Sequence, residues 1–371
     1  MNAVLIAPRK YIQGPNVLGE IGTHLAALGK KPLVLWDCRV KGLVGETVLA
    51  SLKDAGLEVV DVDFAGDSTK AEVARVAQIA RDSGADIAVG IGGGKTLDTA
   101  KAAAADARLK TVTCPTIASN DSPTSSYTVW YDEEGNCLGF ESWGVNPDLV
   151  LVDTQVIAEA PARAFVAGMG DALATWVEAE VCRQTRSPNL AGGVSTEAAM
   201  ALARLGYDLL MEYGIEAKQA VEQNTVTPAV EKIVEANVLL SGLGFESGGV
   251  ATAHMVANCL PSFPECHGLM HGDEVGFGII TQLCLDKAFD AGVRDRIVDF
   301  EIAVGLPVTF ADLGLEGVAR DRLETIGEIC AGEGSLCHYH PFEVTSESVV
   351  DAMIAADALG RERKALAEEQ G

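Results

Sequence analysis

Three of the six histidines fall between positions 254 and 271. His254 sits in an apolar run, Ala251-Thr252-Ala253-His254-Met255-Val256, and His267 and His271 follow in Cys266-His267-Gly268-Leu269-Met270-His271-Gly272-Asp273-Glu274. A carboxylate, Asp171, opens another apolar helical run in Gly168-Met169-Gly170-Asp171-Ala172. One carboxylate and two imidazoles make a three-ligand set for a divalent cation with one position left open. Such an ion acts as a Lewis acid on a substrate oxygen. Each residue also has a plainer reading. Asp171 reads somewhat better as a helix N-cap, His254 as a satisfied core histidine, and His271 as an exposed helix start.

A second constellation lies at residues 87–101, IAVGIGGGKTLDTAK. An apolar strand stops at Gly92, Gly93 and Gly94, and Lys95 and Thr96 lead into an alanine-rich helix. A bare backbone turn at a helix N-terminus is an anion site, because its free N–H groups point at the ligand. A phosphorylated cofactor or substrate is therefore expected, the alternative being a tight β-α turn. Neither familiar phosphate pattern is complete. A P-loop needs glycine where Val89 stands, and the dinucleotide fingerprint needs one where Lys95 or Leu97 stands. A third segment, Thr116-Ile117-Ala118-Ser119-Asn120-Asp121-Ser122-Pro123-Thr124-Ser125-Ser126, is polar and follows a strand. Its hydroxyls suit a cofactor and Asp121 suits substrate hydroxyls, though Asx and Ser caps of an ordinary turn look the same.

The elements that must carry these residues alternate in the first half. Strands are expected at 32–36, 58–62, 87–89, 111–114 and 149–153, and helices at 45–55, 69–83 and 97–107. Thr69 with Glu72 forms a capping-box pattern. This alternation predicts a doubly wound, mainly parallel sheet whose ligands lie beyond the strand carboxyl ends. Asp37, Gly92 to Lys95 and Thr116 fall at such ends. Residues 127–131 and 137–140 flank Asp132-Glu133-Glu134-Gly135-Asn136 as a hairpin. Beyond Pro161 the pattern turns helical, near 170–184, 195–213, 228–242, 249–260, 272–288 and 347–369. The reading is an α/β domain over 1–160 and an all-α domain over 161–371.

Composition agrees with an enzyme. The chain has 371 residues, 48% of them apolar and 5% aromatic, more than one core of usual size holds. A formal net charge of -25 argues against nucleic acid or anionic membrane as a partner. Nine cysteines, odd in number and irregular in spacing, suit reduced thiols in the cytoplasm. Cys337-His338-Tyr339-His340 lacks a second ligand pair and is expected to pack or to end a helix. The N-terminal apolar run is too short for a signal peptide, and no stretch approaches the ~20 apolar residues of a membrane span.

Four segments in order, GIGGGKTLDTAK, PTIASNDSPTS, GMGDALATWVEA and HGDEVGFG, resemble the glycerol-oxidising members of the iron-containing alcohol dehydrogenase superfamily. The resemblance runs from PNVLGEIG to CHYHPF, nearly the whole chain. It implies an N-terminal NAD-binding domain, a helical C-terminal domain and an active site in the cleft between them. It implies that Gly92, Gly93, Gly94 and Lys95 meet the pyrophosphate and that Asp37 meets the adenosine portion. Asp98, Thr116, Ser119, Ser125, Tyr127 (through its main chain) and Tyr131 would border the cofactor. Asp37 would favour NAD over NADP by repelling a ribose phosphate.

The same resemblance places Zn2+ on Asp171, His254 and His271, with His267 a neighbour, and glycerol against Asp121. Iron-dependent members carry histidines where this chain has Thr175 and Asn258, a departure that favours zinc. The implied activity is NAD-dependent oxidation of glycerol to dihydroxyacetone, and the reverse, with related 1,2-diols. Relatives form higher oligomers, octamers among them, so a homo-oligomer is expected. Rivals are another dehydrogenase of the superfamily acting on a different alcohol or hydroxy-ketone, a sugar-phosphate lyase or a glycerol-phosphate dehydrogenase. The last two need basic residues that 254–274 lacks. More distant are a P-loop nucleotide-binding protein and a non-catalytic scaffold.

Overall fold

The computed structural model describes residues 1–286 and 289–370. They divide into two compact units. The first comprises Ile6–Phe165 and Ala220–Gly242, and the second Met1–Leu5, Val166–Gln219 and the described residues from Leu243 onward. Residues 220–242, placed with the helical half on sequence alone, thus belong to the sheet unit. The reason is a buried face on the helix Pro228–Glu235, formed by Ala229, Val230, Ile233 and Val234. The same helix is tied to the sheet by Glu231, which accepts hydrogen bonds from Gln13 and Thr154 at 2.6 and 2.7 Å.

The first unit has eight strands: β1 (Tyr11–Gly14), β2 (Pro32–Trp36), β3 (Val60–Asp63), β4 (Ile87–Gly92), β5 (Lys110–Pro115), β6 (Tyr127–Tyr131), β7 (Cys137–Ser142) and β8 (Leu149–Asp153). Six form one sheet in the order β1-β8-β5-β4-β2-β3, every neighbouring pair parallel. This is the expected doubly wound arrangement, and β6 and β7 make the expected hairpin as a separate antiparallel sheet. β1 escaped the sequence reading because it has four half-buried residues and no alternation.

Side-chain alternation gives the sheet two covered faces. Val34 and Trp36 of β2 join Ile87, Val89 and Ile91 of β4 in one core. Leu33 and Leu35 join Val73, Val76, Ala100 and Ala103 in the other. From β2 the chain goes outward to β3 and then crosses back to β4, on the other flank of β2. That reversal opens a crevice at the carboxyl ends of β2 and β4. The helix after β2 spans Cys38–Asp54, earlier than the expected 45–55, because Asp37 caps it by accepting from the Arg39 and Val40 amides. Thr69 caps its helix as expected, but the Glu72 carboxylate turns instead to Arg75 and the Ala65 amide.

The second unit is helical, with major helices Ala162–Thr185, Glu197–Val221, Thr252–Cys259, His271–Leu285, Ala291–Val304, Arg320–Cys330 and Ser346–Gln370. Two of these, Ala291–Val304 and Arg320–Cys330, were missed in the sequence. Arg320–Cys330 has five charged residues among its eleven and buries only a thin stripe, chiefly Leu323, Ile326 and Cys330. The expected helix 272–288 ends at Leu285, and its last two positions lie outside the described residues. The core gathers Val256, Phe277, Ile280, Val298, Leu323, Val350 and Met353. All nine cysteines are free thiols. No helix among the described residues is long and apolar enough to cross a membrane.

Candidate functional site

The second unit brings Asp171, His254 and His271 together. Asp171 lies within the helix Ala162–Thr185 rather than at its start, so the N-cap reading fails. His254 is on Thr252–Cys259, and His271 begins His271–Leu285. Three glycines let the helix backbones approach. A Cβ on Gly170 would collide with the Gly272 carbonyl, one on Gly272 with Ala167, and one on Gly278 with Ala253. Each glycine or its contact neighbours a ligand, which gives the GMGD and HGDEVGFG patterns a steric cause.

Asp171 Oδ1 stands 3.4 Å from His254 Nε2 and 3.7 Å from His271 Nε2. One ligand atom from each of the three lies within 4.8 Å of the others. Among the described residues no other His, Cys, Asp and Glu group has this spacing. Atoms about 2.0–2.1 Å from a tetrahedral zinc ion would stand about 3.4 Å apart. The donors also fit. His254 Nε2 is buried and makes no well-directed hydrogen bond, while the His271 side chain is 39% exposed, leaving one side open.

A residue overlooked in the sequence organises this set. Glu178 follows Asp171 by seven positions, two helical turns along the same face. It is fully buried. Its Oε2 lies 2.5 Å from His254 Nδ1, and its Oε1 accepts from the Ala251 and His254 amides, both at 2.9 Å. One carboxylate thus caps the helix that bears His254 and holds a proton on Nδ1, which orients the ring so that Nε2 faces Asp171. The i,i+7 spacing from Asp171 was its only sequence signal.

Burial disfavours a charged His254, but the carboxylates of Glu178 and Asp171 outweigh it and raise its pKa well above the ordinary value. The packing around His271 lowers its pKa. Burial, with Asp273 beside it, pushes Glu274 up to about 8. His267 is exposed and lies against the Pro261 carbonyl. His340 is spent between Thr252 and Asp286, and Cys337 is buried in the core. The Cys-His-Tyr-His segment therefore packs, as expected.

The cofactor candidates all lie in the first unit. The helix Gly94–Ala107 starts at Gly93, and no side chain caps it, whereas Asp37, Thr69, Asp153, Thr227 and Asp290 each cap a helix. A Cβ on Gly92 would come within 3.0 Å of Asp37 Cβ, so Asp37 and the glycine turn border the same crevice. The Thr116 amide donates to the Gly92 carbonyl at 3.1 Å. Lys95 Nζ pairs with Asp67 and lies 4.2 Å from the Tyr131 ring centroid.

Ser119 and Ser125 are buried, and the Tyr127 ring packs on Phe140. Asp98 is also buried and faces Lys101, Ser122 and Val129. Asp121 is half-buried in a loop held from the far side by a five-residue π-helical turn, Ala236–Leu240. There Asn237 donates to the Ala118 and Phe165 carbonyls at 3.1 and 2.9 Å. Such turns recur at functional sites, and this one gave no sequence signal.

Comparison with known proteins gives the family. The family model described as iron-containing alcohol dehydrogenase matches residues 8–154. Over 361 residues the chain is 44% identical to a glycolaldehyde reductase of Halobacterium salinarum, covering 97% of this chain and 99% of that protein. It is 43% identical to a glycerol dehydrogenase of Pseudomonas putida, with the same coverage of both chains. The crystal structure of a probable glycerol dehydrogenase from Sinorhizobium meliloti superposes with a TM-score of 0.91 at 39% identity, covering 98% of this chain and 100% of that one. With a phosphate-type glycine turn on a parallel sheet, a metal-type trio among helices and relatives of this similarity over its full length, the chain belongs to the iron-containing alcohol dehydrogenase family.

Proposed function

We propose that the protein oxidises glycerol to dihydroxyacetone with NAD, and catalyses the reverse, using zinc held by Asp171, His254 and His271. The observation that carries this reading is the spacing and donor chemistry of that trio. A bound zinc ion would supply Lewis acidity toward a hydroxyl oxygen, and the nicotinamide would accept the hydride. The side chains do the rest. Glu178 keeps the His254 proton on Nδ1 and so leaves Nε2 as a ligand. The open flank of His271 admits the substrate.

The amides at Gly94 and Lys95 would donate hydrogen bonds to the pyrophosphate, and the Asp37 carboxylate would repel a ribose phosphate. Asp121 accepts the remaining hydroxyls of the polyol. Zinc is favoured over iron by two positions. Thr175 turns its hydroxyl to the Ala172 carbonyl at 2.8 Å, and Asn258 is exposed, so neither supplies a fourth ligand. The glycolaldehyde reductase relative supports a second reading, reduction of a small hydroxy-aldehyde at the same site.

NADH absorbance tests the proposal, on protein dialysed against chelator and then given zinc or ferrous iron. Glycerol and propane-1,2-diol should be oxidised once zinc returns, and butanol should lag far behind. Turnover that ignores the chelator, or a preference for butanol, overturns it. Faster turnover of glycolaldehyde with NADH than of glycerol with NAD selects the second reading.

A further inference from the structure

The helix that begins at the glycine turn carries a buried ion pair one turn further on. Lys101 and Asp98 are each 4% exposed. Lys101 Nζ stands 2.9 Å from Asp98 Oδ1 and donates to the Ser122 and Ser125 carbonyls at 2.8 and 3.3 Å. Asp98 accepts from Ser122 Oγ at 2.6 Å and from the Val129 amide at 2.9 Å. Thr128 Oγ1 donates to the Asp98 carbonyl at 3.0 Å. The pair's charged groups therefore fix three positions, Ser122, Ser125 and Val129, and the Asp98 main chain holds a fourth, Thr128.

The earlier part of the same loop lies against the glycine turn. A Cβ on Gly93 would meet Ile117 Cδ1 at 3.2 Å, and one on Gly94 would meet Asn120 Nδ2 at 2.9 Å. Withdrawing two charges from water is costly, and an apolar pair would pack the helix as well. Directed bonds to two main-chain carbonyls and a hydroxyl of that loop, and to an amide of β6, are what an ion pair provides and an apolar pair would not. Asp121 stands inside the span so fixed, next to Ser122.

We propose that Lys101 and Asp98 are positioning residues for the polyol, holding the 120–125 backbone so that Asp121 presents its carboxylate to the substrate hydroxyls. This rests on the polyol reading of Asp121. A merely structural pair would change stability and leave the substrate preference alone. A positioning pair changes the glycerol KM only while Asp121 is present.

The test is a double-mutant cycle between the pair and Asp121. Lys101→Met alone strands a buried carboxylate, so the working variant is Lys101→Met/Asp98→Asn, checked for an unchanged zinc content. Its KM for glycerol should rise tenfold or more. In an Asp121→Ala background the same two substitutions should raise the glycerol KM less than twofold further. Effects that multiply in the Asp121→Ala background overturn the proposal. Wild-type protein that oxidises butanol as readily as glycerol overturns the polyol reading instead. The cycle read on butanol then still decides whether the pair acts through Asp121.

Discussion

The two halves of the candidate machinery are built from different materials. In the sheet unit the site is mostly backbone: a glycine turn, an uncapped helix start and strand ends. In the helical unit it is side chain: a carboxylate and two imidazoles from three helices, oriented by a fourth residue. A backbone site is made by a short stretch of sequence and resists most side-chain changes. A site of buried side chains depends on packing over a long span, Asp171 to His271, and one atom can undo it. The difference matches what each is proposed to hold. A pyrophosphate spreads charge over many oxygens and suits several weak amide donors. A small divalent ion concentrates its charge and needs a few strong ligands at fixed spacing.

The largest effect expected from this contrast is in the helical unit. His254→Ala should lower kcat/KM by about 10³, equivalent to the several kcal/mol that a Lewis acid supplies. Glu178→Gln, which keeps shape and volume, should weaken zinc binding about 10–100-fold. Metal titration with a competing chelator and steady-state rates read both. An unchanged affinity in Glu178→Gln would remove its orienting role.

In the sheet unit Gly94→Ala should raise the KM for NAD about tenfold, because its Cβ would stand 2.9 Å from Asn120 Nδ2 and displace the turn whose amides face the pyrophosphate. Zinc content should not move. A variant that lost zinc along with NAD affinity would break the separation of the two sites.

The smallest effect on activity concerns a carboxylate that serves neither site. Glu301 is fully buried on the helix Ala291–Val304, and neither of its oxygens has a hydrogen-bond partner among the described residues. Burial pushes its pKa well above the ordinary value. The folded state therefore keeps a proton that the unfolded chain releases above about pH 4.3. Its contribution is whole below that pH and is lost as pH rises, by at most about 1.4 kcal/mol per unit until the folded pKa is reached. Glu301→Gln should be about as stable as wild type near pH 5. It should exceed wild type near pH 8 by about 2–4 °C in Tm for each kcal/mol. Parallel melting curves across that range would show that Glu301 is paired or hydrated.

Legibility followed the same division. The glycine turn, its flanking strands and the hairpin were readable because their signals are local: β-branched runs, glycine clusters, a capping threonine. Asp171, His254 and His271 stood out as residue types, yet on residues alone Asp171 leaned toward a cap, and family resemblance was needed to choose His271 over His267. The helix Arg320–Cys330 hid behind its charges, and β1 behind its shortness. Glu178 looked like one more acid on a helix. Asp98 was expected beside the cofactor, and its pairing with Lys101 and the 122–129 segment gave no sequence signal.

The amino-acid sequence by itself determined the phosphate-type turn, the parallel order implied by alternating strands and helices, and the chemical types available for catalysis. These depend on dihedral preferences and short-range periodicity, which act over a few residues. Only the tertiary structure decided which histidines meet Asp171 and that Glu178 turns His254 toward it. It alone decided that an ion pair on the cofactor helix grips the loop bearing Asp121. Those facts depend on glycines that let backbones touch and on charges that burial forces to find partners. Neither exists until distant segments pack.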